Sequence, residues 1–390
     1  MKLPNRDQGN FVSEWFGHRM YPKVVHSRES IADQRGRRCP FLSNSTGSDR
    51  ECIKSAASKG VCTISTVSNR RRQDWVVCPY RAFDRSLLIS VAARLYSHDG
   101  PIHLFPAPVL ADKTNQSEVV DFLGNGQKVL IYFEQKMGGE ISVSATARSP
   151  EIAFDTTFVE ISKSTEGLLL GRFAVMEIQT MDFHGSYRKA VENLSSALRL
   201  HQNDFPQQVQ KNPRWLSESI EGPNIANVFK RTFWQLMFKF EMASSPGCAG
   251  VALAIPIAVW DSWQKFLGAP ELISDGALLY TLQSPGTMNS ANSSWLYIFD
   301  LDSTNKNTPS PLRIDKIIRT NADALANHAL GEAPKGAVRQ LELGIYPALR
   351  SRIRKFWSIK VDVPRGRETA RTVSIEEPPG TIDQIQDGNK

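Results

Sequence analysis

Long apolar runs are missing from this chain. The longest, from Ala249 to Trp260, is too short to span a bilayer and ends at Asp261. The stretch from Met1 to Asp7 has no apolar centre of the kind a secretory signal needs. A soluble cytoplasmic protein with no membrane partner is the expectation. Cysteine is scarce too: five in 390 residues exclude a disulfide-built scaffold, and the thiols are expected to be reduced. There is no Walker-type phosphate loop and no internal repeat, which disfavours ATP-driven reactions and solenoid architectures.

Apolar residues make up 41% of the chain, enough for a substantial core, and the length accommodates two or three ordinary domains or one large one with an appendage. The net charge of +7 is unevenly spread: between Arg28 and Arg81 there are eleven Lys or Arg against five Asp or Glu. Concentrated positive charge suits a polyanion, DNA being the obvious one, although a solvated basic surface has the same composition.

The stretch around which the chain is organised is Phe173–Thr180, which reads as a strand. Alternation puts Glu177 and Gln179 on one face and Met176 and Ile178 on the other. An acid beside an amide is poor core material, but both make sense beneath a metal or a reacting water. Glu151–Ile161 reads as a second strand, joined to the first through Ser162–Gly171 with Gly167 and Gly171 as turn formers. An antiparallel pair would bring Asp155 near Glu177. Asp followed by Glu-x-Gln is the PD-(D/E)XK nuclease pattern with Gln in place of Lys. Two carboxylates and a backbone carbonyl are the hard oxygen ligands that Mg²⁺ takes. The same two acids also suit a solvated sheet face.

Four cysteines, Cys39, Cys52, Cys62 and Cys78, fall within forty residues rich in Gly, Ser and Arg. Their separations of 13, 10 and 16 match no common zinc module. Tetrahedral thiolate chemistry suits Zn or Fe, and four free thiols remain the alternative. Arg35, Arg37, Arg38 and the triplet Arg70, Arg71 and Arg72 lie on the same loops and are candidate contacts for phosphates or guanine edges.

The run Met176–Tyr187 resembles the corresponding segment of the NotI-like type II restriction endonucleases. Gly9–Phe11, Phe16–Arg19, Cys39–Leu42, Gly60–Cys62, Val77–Pro79, Gly138–Glu140, Glu221–Asn224 and Asn227–Phe233 are similar to that family in the same order, over roughly residues 9 to 265. The resemblance implies an α/β fold: a PD-(D/E)XK core, with a mixed central sheet flanked by helices, and a small N-terminal domain that binds a metal through four cysteines. It divides the chain into residues 1–85 and a catalytic and dimerising core at 86–363, while the polar composition of 364–390 reads as a disordered tail. The resemblance implies Mg²⁺-dependent hydrolysis of double-stranded DNA at a GC-rich palindrome with a GGCC centre. Asp155 and Glu177 would hold the metal, Gln179 would take the lysine position, and Glu140 would serve as a further acid near the site. Cys39, Cys52, Cys62 and Cys78 would hold one structural Fe or Zn. A homodimer, a prokaryotic host and a cognate DNA methyltransferase follow from the same likeness. The rivals are a metal-stabilised DNA-binding protein without nuclease activity and a nuclease of low specificity.

Elsewhere, residues 11–16 read as a short amphipathic helix and 83–112 as a helix leading into a proline-rich turn. Ser117–Leu123 reads as a further helix, Lys128–Phe133 as a buried strand and Glu140–Ser144 as an alternating one. Ser186 caps a helix, and Pro223-Asn224 opens a strong amphipathic one whose Lys230 and Arg231 touch phosphate or are simply solvated. Ala249–Ile255 and Trp295–Phe299 read as buried strands with a helix between, Cys248 as a core thiol, and Arg350–Lys360 as a basic segment.

Overall fold

A computed structural model describes residues 9–68, 70–282, 294–302 and 309–357, the side chains of 339–344 excepted. The stretch from Met1 to Asp7, residue 360 and the 364–390 tail lie outside the described residues. The chain divides into two compact units, Met1–Pro334 and Lys335–Lys390.

The first unit begins with strands β1 (Phe11–Trp15) and β2 (His18–Arg19), then helices α1 (Arg28–Gly36) and α2 (Pro40–Thr46), then strands β3 (Val61–Ser68) and β4 (Arg71–Val76). The four strands form an antiparallel sheet in the order β2-β1-β3-β4. Residues 11–15 are therefore strand, not helix. Both faces of β1 are buried, with Ser13 and Glu14 inside alongside Phe11, Val12 and Trp15, so no polar alternation marks it as β. Glu14 is tolerated there because Arg81 reaches it at 3.0 Å and the Thr63 hydroxyl donates to it.

Helix α3 (Arg85–Leu95), capped by Asp84, stops far short of residue 112. Gly100-Pro101 breaks the chain, and the alternating residues beyond it form strand β5 (Ile102–Pro106). Helix α4 (Lys113–Gly124) and strand β6 (Lys128–Phe133) follow, then a hairpin of β7 (Ile141–Val143) and β8 (Ile152–Phe154). Strands β9 (Thr156–Ser164) and β10 (Gly167–Ile178) form the expected antiparallel pair, with Met176 opposite Thr156. Next come β11 (Phe183–Gly185), α5 (Arg188–Leu200), α6 (Phe205–Lys211), β12 (Ile220–Pro223) and α7 (Ile225–Glu241). Strand β13 (Cys248–Pro256), helix α8 (Ile257–Leu267), strands β14 (Ile273–Gly276), β15 (Leu279–Thr281), β16 (Ser294–Leu301) and β17 (Leu312–Thr320), and helix α9 (Ala322–Ala326) complete the unit.

Among the described residues the main sheet runs β14-β15-β17-β16-β13-β10-β9-β6-β5. It is mixed: β10, β13 and β16 are mutually parallel, while β10, β9 and β6 alternate in direction. Helices cover both faces, so the fold is α/β. Alternation along β10 sends Ala174, Met176 and Ile178 into a core shared with α3, α5 and β1, and Val175 into a second core with α7 and α8. The amino-terminal sheet and the main sheet are thus joined by one continuous core. No described helix is long and apolar enough to cross a membrane. Within the second unit the described element is α10 (Ala333–Phe356), carrying the basic residues Arg350, Arg352, Arg354 and Lys355.

Candidate active site

Asp155 occupies the bend between β8 and β9, and Glu177 lies one residue before the end of β10. The backbone N–H of Ile178 donates to Asp155 Oδ2 at 2.9 Å, and that of Asp155 donates to Glu177 Oε1 at 3.3 Å. The two acids are brought together as the strand pairing predicts. Each is held by backbone at or next to the other.

Glu177 is buried, and its second oxygen accepts from the ammonium of Lys239, which is also buried. Lys239 comes from α7, on the face of the sheet to which Glu177 points. Gln179, two residues on, accepts through its amide oxygen from the Thr232 hydroxyl of the same helix. Glu177 and Gln179 therefore do share a face, as their alternation requires. Burial, and then the Asp155 charge beside it, push the Glu177 carboxyl up to about 8 against the pull of Lys239. A further cation beside the two acids would lower the Glu177 carboxyl and so favour its ionised form.

Two more acids share this neighbourhood. Ile141 pairs with Phe154 across the β7–β8 hairpin, so Glu140 and Asp155 flank the same end of it. Glu140 is exposed and Asp155 half-buried. Glu134 is buried just beyond β6; its carboxylate accepts from the Tyr80 hydroxyl at 2.6 Å and from the Lys136 N–H at 2.8 Å. Burial raises the Glu134 carboxyl above its ordinary value, and the charges of Glu140 and Asp155 add to that.

Neither Lys239 nor Glu134 was anticipated from the sequence. For Lys239 a signal exists: it falls on the apolar stripe of α7 with Thr232, Leu236 and Phe240, where a cation is out of place unless paired. Glu134 has no comparable mark, because its partner Tyr80 lies fifty-four residues away.

The oxygen donors suit Mg²⁺, which is typically held by one or two carboxylates and keeps several waters. Asp155, Glu177 and the carbonyl of Ile178 are such a set. Among the described residues, however, no three His, Cys, Asp or Glu side chains close together as metal ligands.

The four amino-terminal cysteines are all buried and reduced. Backbone pairing assembles them two by two. Arg38 bridges Glu51, with the Cys39 N–H on Arg50 and the Cys52 N–H on Arg37; the Val77 N–H closes on the Cys62 carbonyl at the base of the β3–β4 hairpin. The Gly60 N–H donates to Cys52 Sγ at 3.3 Å, and the Cys62 and Cys78 thiols are hydrogen-bonded. Burial pushes Cys39 up to about 12, whereas its bond with Cys62, assisted by nearby Lys54, brings Cys78 down to about 6. Soft sulfur donors are of the kind that Zn or Fe takes, but among the described residues no three of these thiols close together as metal ligands.

The candidate DNA-contacting arginines divide. Arg38 is held by Asp33 at 2.9 Å and Asp49 at 2.6 Å. Arg72 donates to the Gly9 carbonyl at 3.2 Å and lies over the rings of Phe11 and Tyr21. These two side chains support the fold. Arg35, Arg37, Arg70 and Arg71 are exposed. Arg231 pairs with Asp182 at 3.0 Å, while Lys230 is exposed. The chain matches no protein-family model and no curated protein.

Proposed function

We propose that this chain is a Mg²⁺-dependent, site-specific deoxyribonuclease of the restriction type, with a PD-(D/E)XK core and a four-cysteine metal centre. The observation that carries the reading is the joining of Asp155 and Glu177 at the ends of adjacent strands, with Gln179 on the same face and buried Lys239 on Glu177. A bound Mg²⁺, held by Asp155, Glu177 and the Ile178 carbonyl, would activate water and neutralise charge on the phosphate under attack. Gln179 can orient that water through its amide but carries no charge. Lys239 supplies the cation that the Glu-x-Gln motif lacks, holding Glu177 in place and drawing its carboxyl toward ionisation against burial and the Asp155 charge. Exposed Glu140 offers a further oxygen ligand on the solvent side of Asp155. The target expected is a GC-rich, GGCC-centred palindrome in double-stranded DNA, cut by a homodimer in a host that protects its own sites with a methyltransferase.

The deciding assay is incubation with Mg²⁺ and long GC-rich DNA, with EDTA and Glu177→Ala controls, followed by sequencing of the ends. Uniform ends at one palindrome are expected, with cutting abolished and DNA binding retained in Glu177→Ala. Scattered ends would replace this reading with a low-specificity nuclease. Intact DNA beside tight binding would leave a DNA-binding protein without catalysis.

A further inference from the structure

Helix α5 and the segments around α1 and residues 54–59 enclose a cleft of about 1040 Å³. Six cationic side chains line it, Arg35, Arg37, Lys54, Lys59, Arg188 and Arg199, against a single carboxylate, Glu192. Lys54 is committed to the carbonyls of Val61 and Val77, at 2.7 and 3.2 Å, and Lys59 lies 3.8 Å from Glu51. Arg35, Arg37, Arg188 and Arg199 are exposed, and among the described residues none of them is paired with a carboxylate. Four unneutralised guanidiniums converging on one concavity repel one another and favour an anionic occupant.

The cleft is not the approach to Glu177. Its α5 wall packs through Ala190, Leu194 and Leu198 into the core that receives Met176 and Ile178, whereas Glu177 points to α7 on the other face. Along α5, Arg188 and Arg199 lie eleven residues apart, about 16 Å of helix rise. At about 3.4 Å per phosphate step, that length spans several phosphates of one DNA strand. Across from them, Gly36 and the left-handed Arg37 (φ 54°) turn the chain so that Arg35 and Arg37 face the cleft while Arg38 turns away to Asp33 and Asp49.

We infer that this cleft is a second DNA-binding surface, which grips the sugar–phosphate backbone of duplex outside the segment being cut. The choice of DNA as the anion rests on the proposed function; the existence of an anion-binding cleft does not. Its contacts are with phosphate, so it adds affinity and salt dependence with little sequence preference.

The test is fluorescence anisotropy with a labelled duplex in EDTA, where no cutting occurs, across a salt series. Arg188→Glu/Arg199→Glu is compared with the wild type and with a charge-matched control at exposed sites elsewhere, Lys113→Glu/Lys163→Glu. The expected result is at least about a tenfold loss of affinity near 0.1 M salt, and a slope of log K against log salt shallower by about two, close to one for each lost phosphate contact. The control keeps the wild-type slope. Arg188→Ala/Arg199→Ala introduces no new charge and is expected to show the same change of slope, which covers the case of a poorly folded Glu variant. A slope equal to wild type in both variants, or an equal change in the control, would overturn the inference. A greater effect on RNA of the same length would overturn its assignment to DNA. Cutting at one palindrome with unchanged slopes defeats this inference alone; the slope change without any cutting defeats the nuclease reading alone.

Discussion

At the scale of single residues, two buried ion pairs carry opposite consequences. Lys239 and Glu177 stand beside Asp155, so the pair is charge-unbalanced; Glu14 and Arg81 belong to a network with Thr63 and Arg19 that holds the Glu14 carboxyl below its ordinary value of 4.5, although burial alone would raise it. Replacing Lys239 by Met removes the cation that draws the Glu177 carboxyl down, so above about pH 8, where that acid is ionised, denaturant unfolding without metal should show a loss of about 3 kcal/mol. The double variant Lys239→Met/Glu177→Gln should recover most of that loss; failure to recover would mean that Lys239 acts through packing. For Glu14 the sign is the reverse of a raised acid. Its depressed value means that the stabilisation is present above pH 4.5 and is lost as the pH falls through the lower folded value. Glu14→Gln should therefore melt well below wild type at pH 7, with the two melting temperatures converging in acid. A constant gap down to about pH 3 would count against the ion network.

At the scale of elements, the segment from α1 to β4 is held by apolar residues in the shared core, Leu42, Val61, Ile64 and Val76 among them, and by the pairing that gathers its cysteines. Gly60 illustrates how tight that assembly is. Its φ is +81°, its N–H donates to Cys52 Sγ, and a Cβ there would meet the Phe16 ring at 2.5 Å. Gly60→Ala should lower the melting temperature and, if the proposed four-cysteine centre holds Zn or Fe, reduce the metal content, and Cys52→Ser should abolish it. Elemental analysis of purified protein, expected to give one equivalent per wild-type chain, checks both; wild type with no transition metal would mean four structural thiols. The Tyr80–Glu134 bond links this segment to the acids, because Tyr80 lies two residues past Cys78 and Glu134 opens the turn leading to Glu140.

At the scale of the whole molecule, the proposed function gives each chain one set of catalytic acids, whereas a palindrome would require two. Sedimentation at micromolar protein with a palindromic duplex should give two chains, of 43.6 kDa each, per DNA. A single chain per duplex would contradict symmetric cutting. The positive charge of the first eighty residues is not a uniform coat: Arg38 and Arg72 are engaged by the fold, and Arg35 and Arg37 join α5 in the basic cleft.

Local pattern was enough to place the strands Lys128–Phe133 and Cys248–Pro256, the helix Ile225–Glu241, and the shared face of Glu177 and Gln179; of β10 it found the part from Phe173 to Ile178 but read Gly167–Gly171, which is strand, as turn. These follow from periods of two and 3.6 residues, which are fixed by backbone geometry alone. The pattern failed at Phe11–Trp15, where burial on both sides erases the alternation, and it ran a helix through Gly100-Pro101, a break that the composition itself marks. What only the tertiary structure decided is which distant charges meet. Lys239 reaches Glu177 across sixty-two residues of sequence, and Arg188 and Arg199 face Arg35 and Arg37 across a cleft. Periodicity assigns a side chain to a face, but the order of the strands and the packing of the helices determine what stands opposite it.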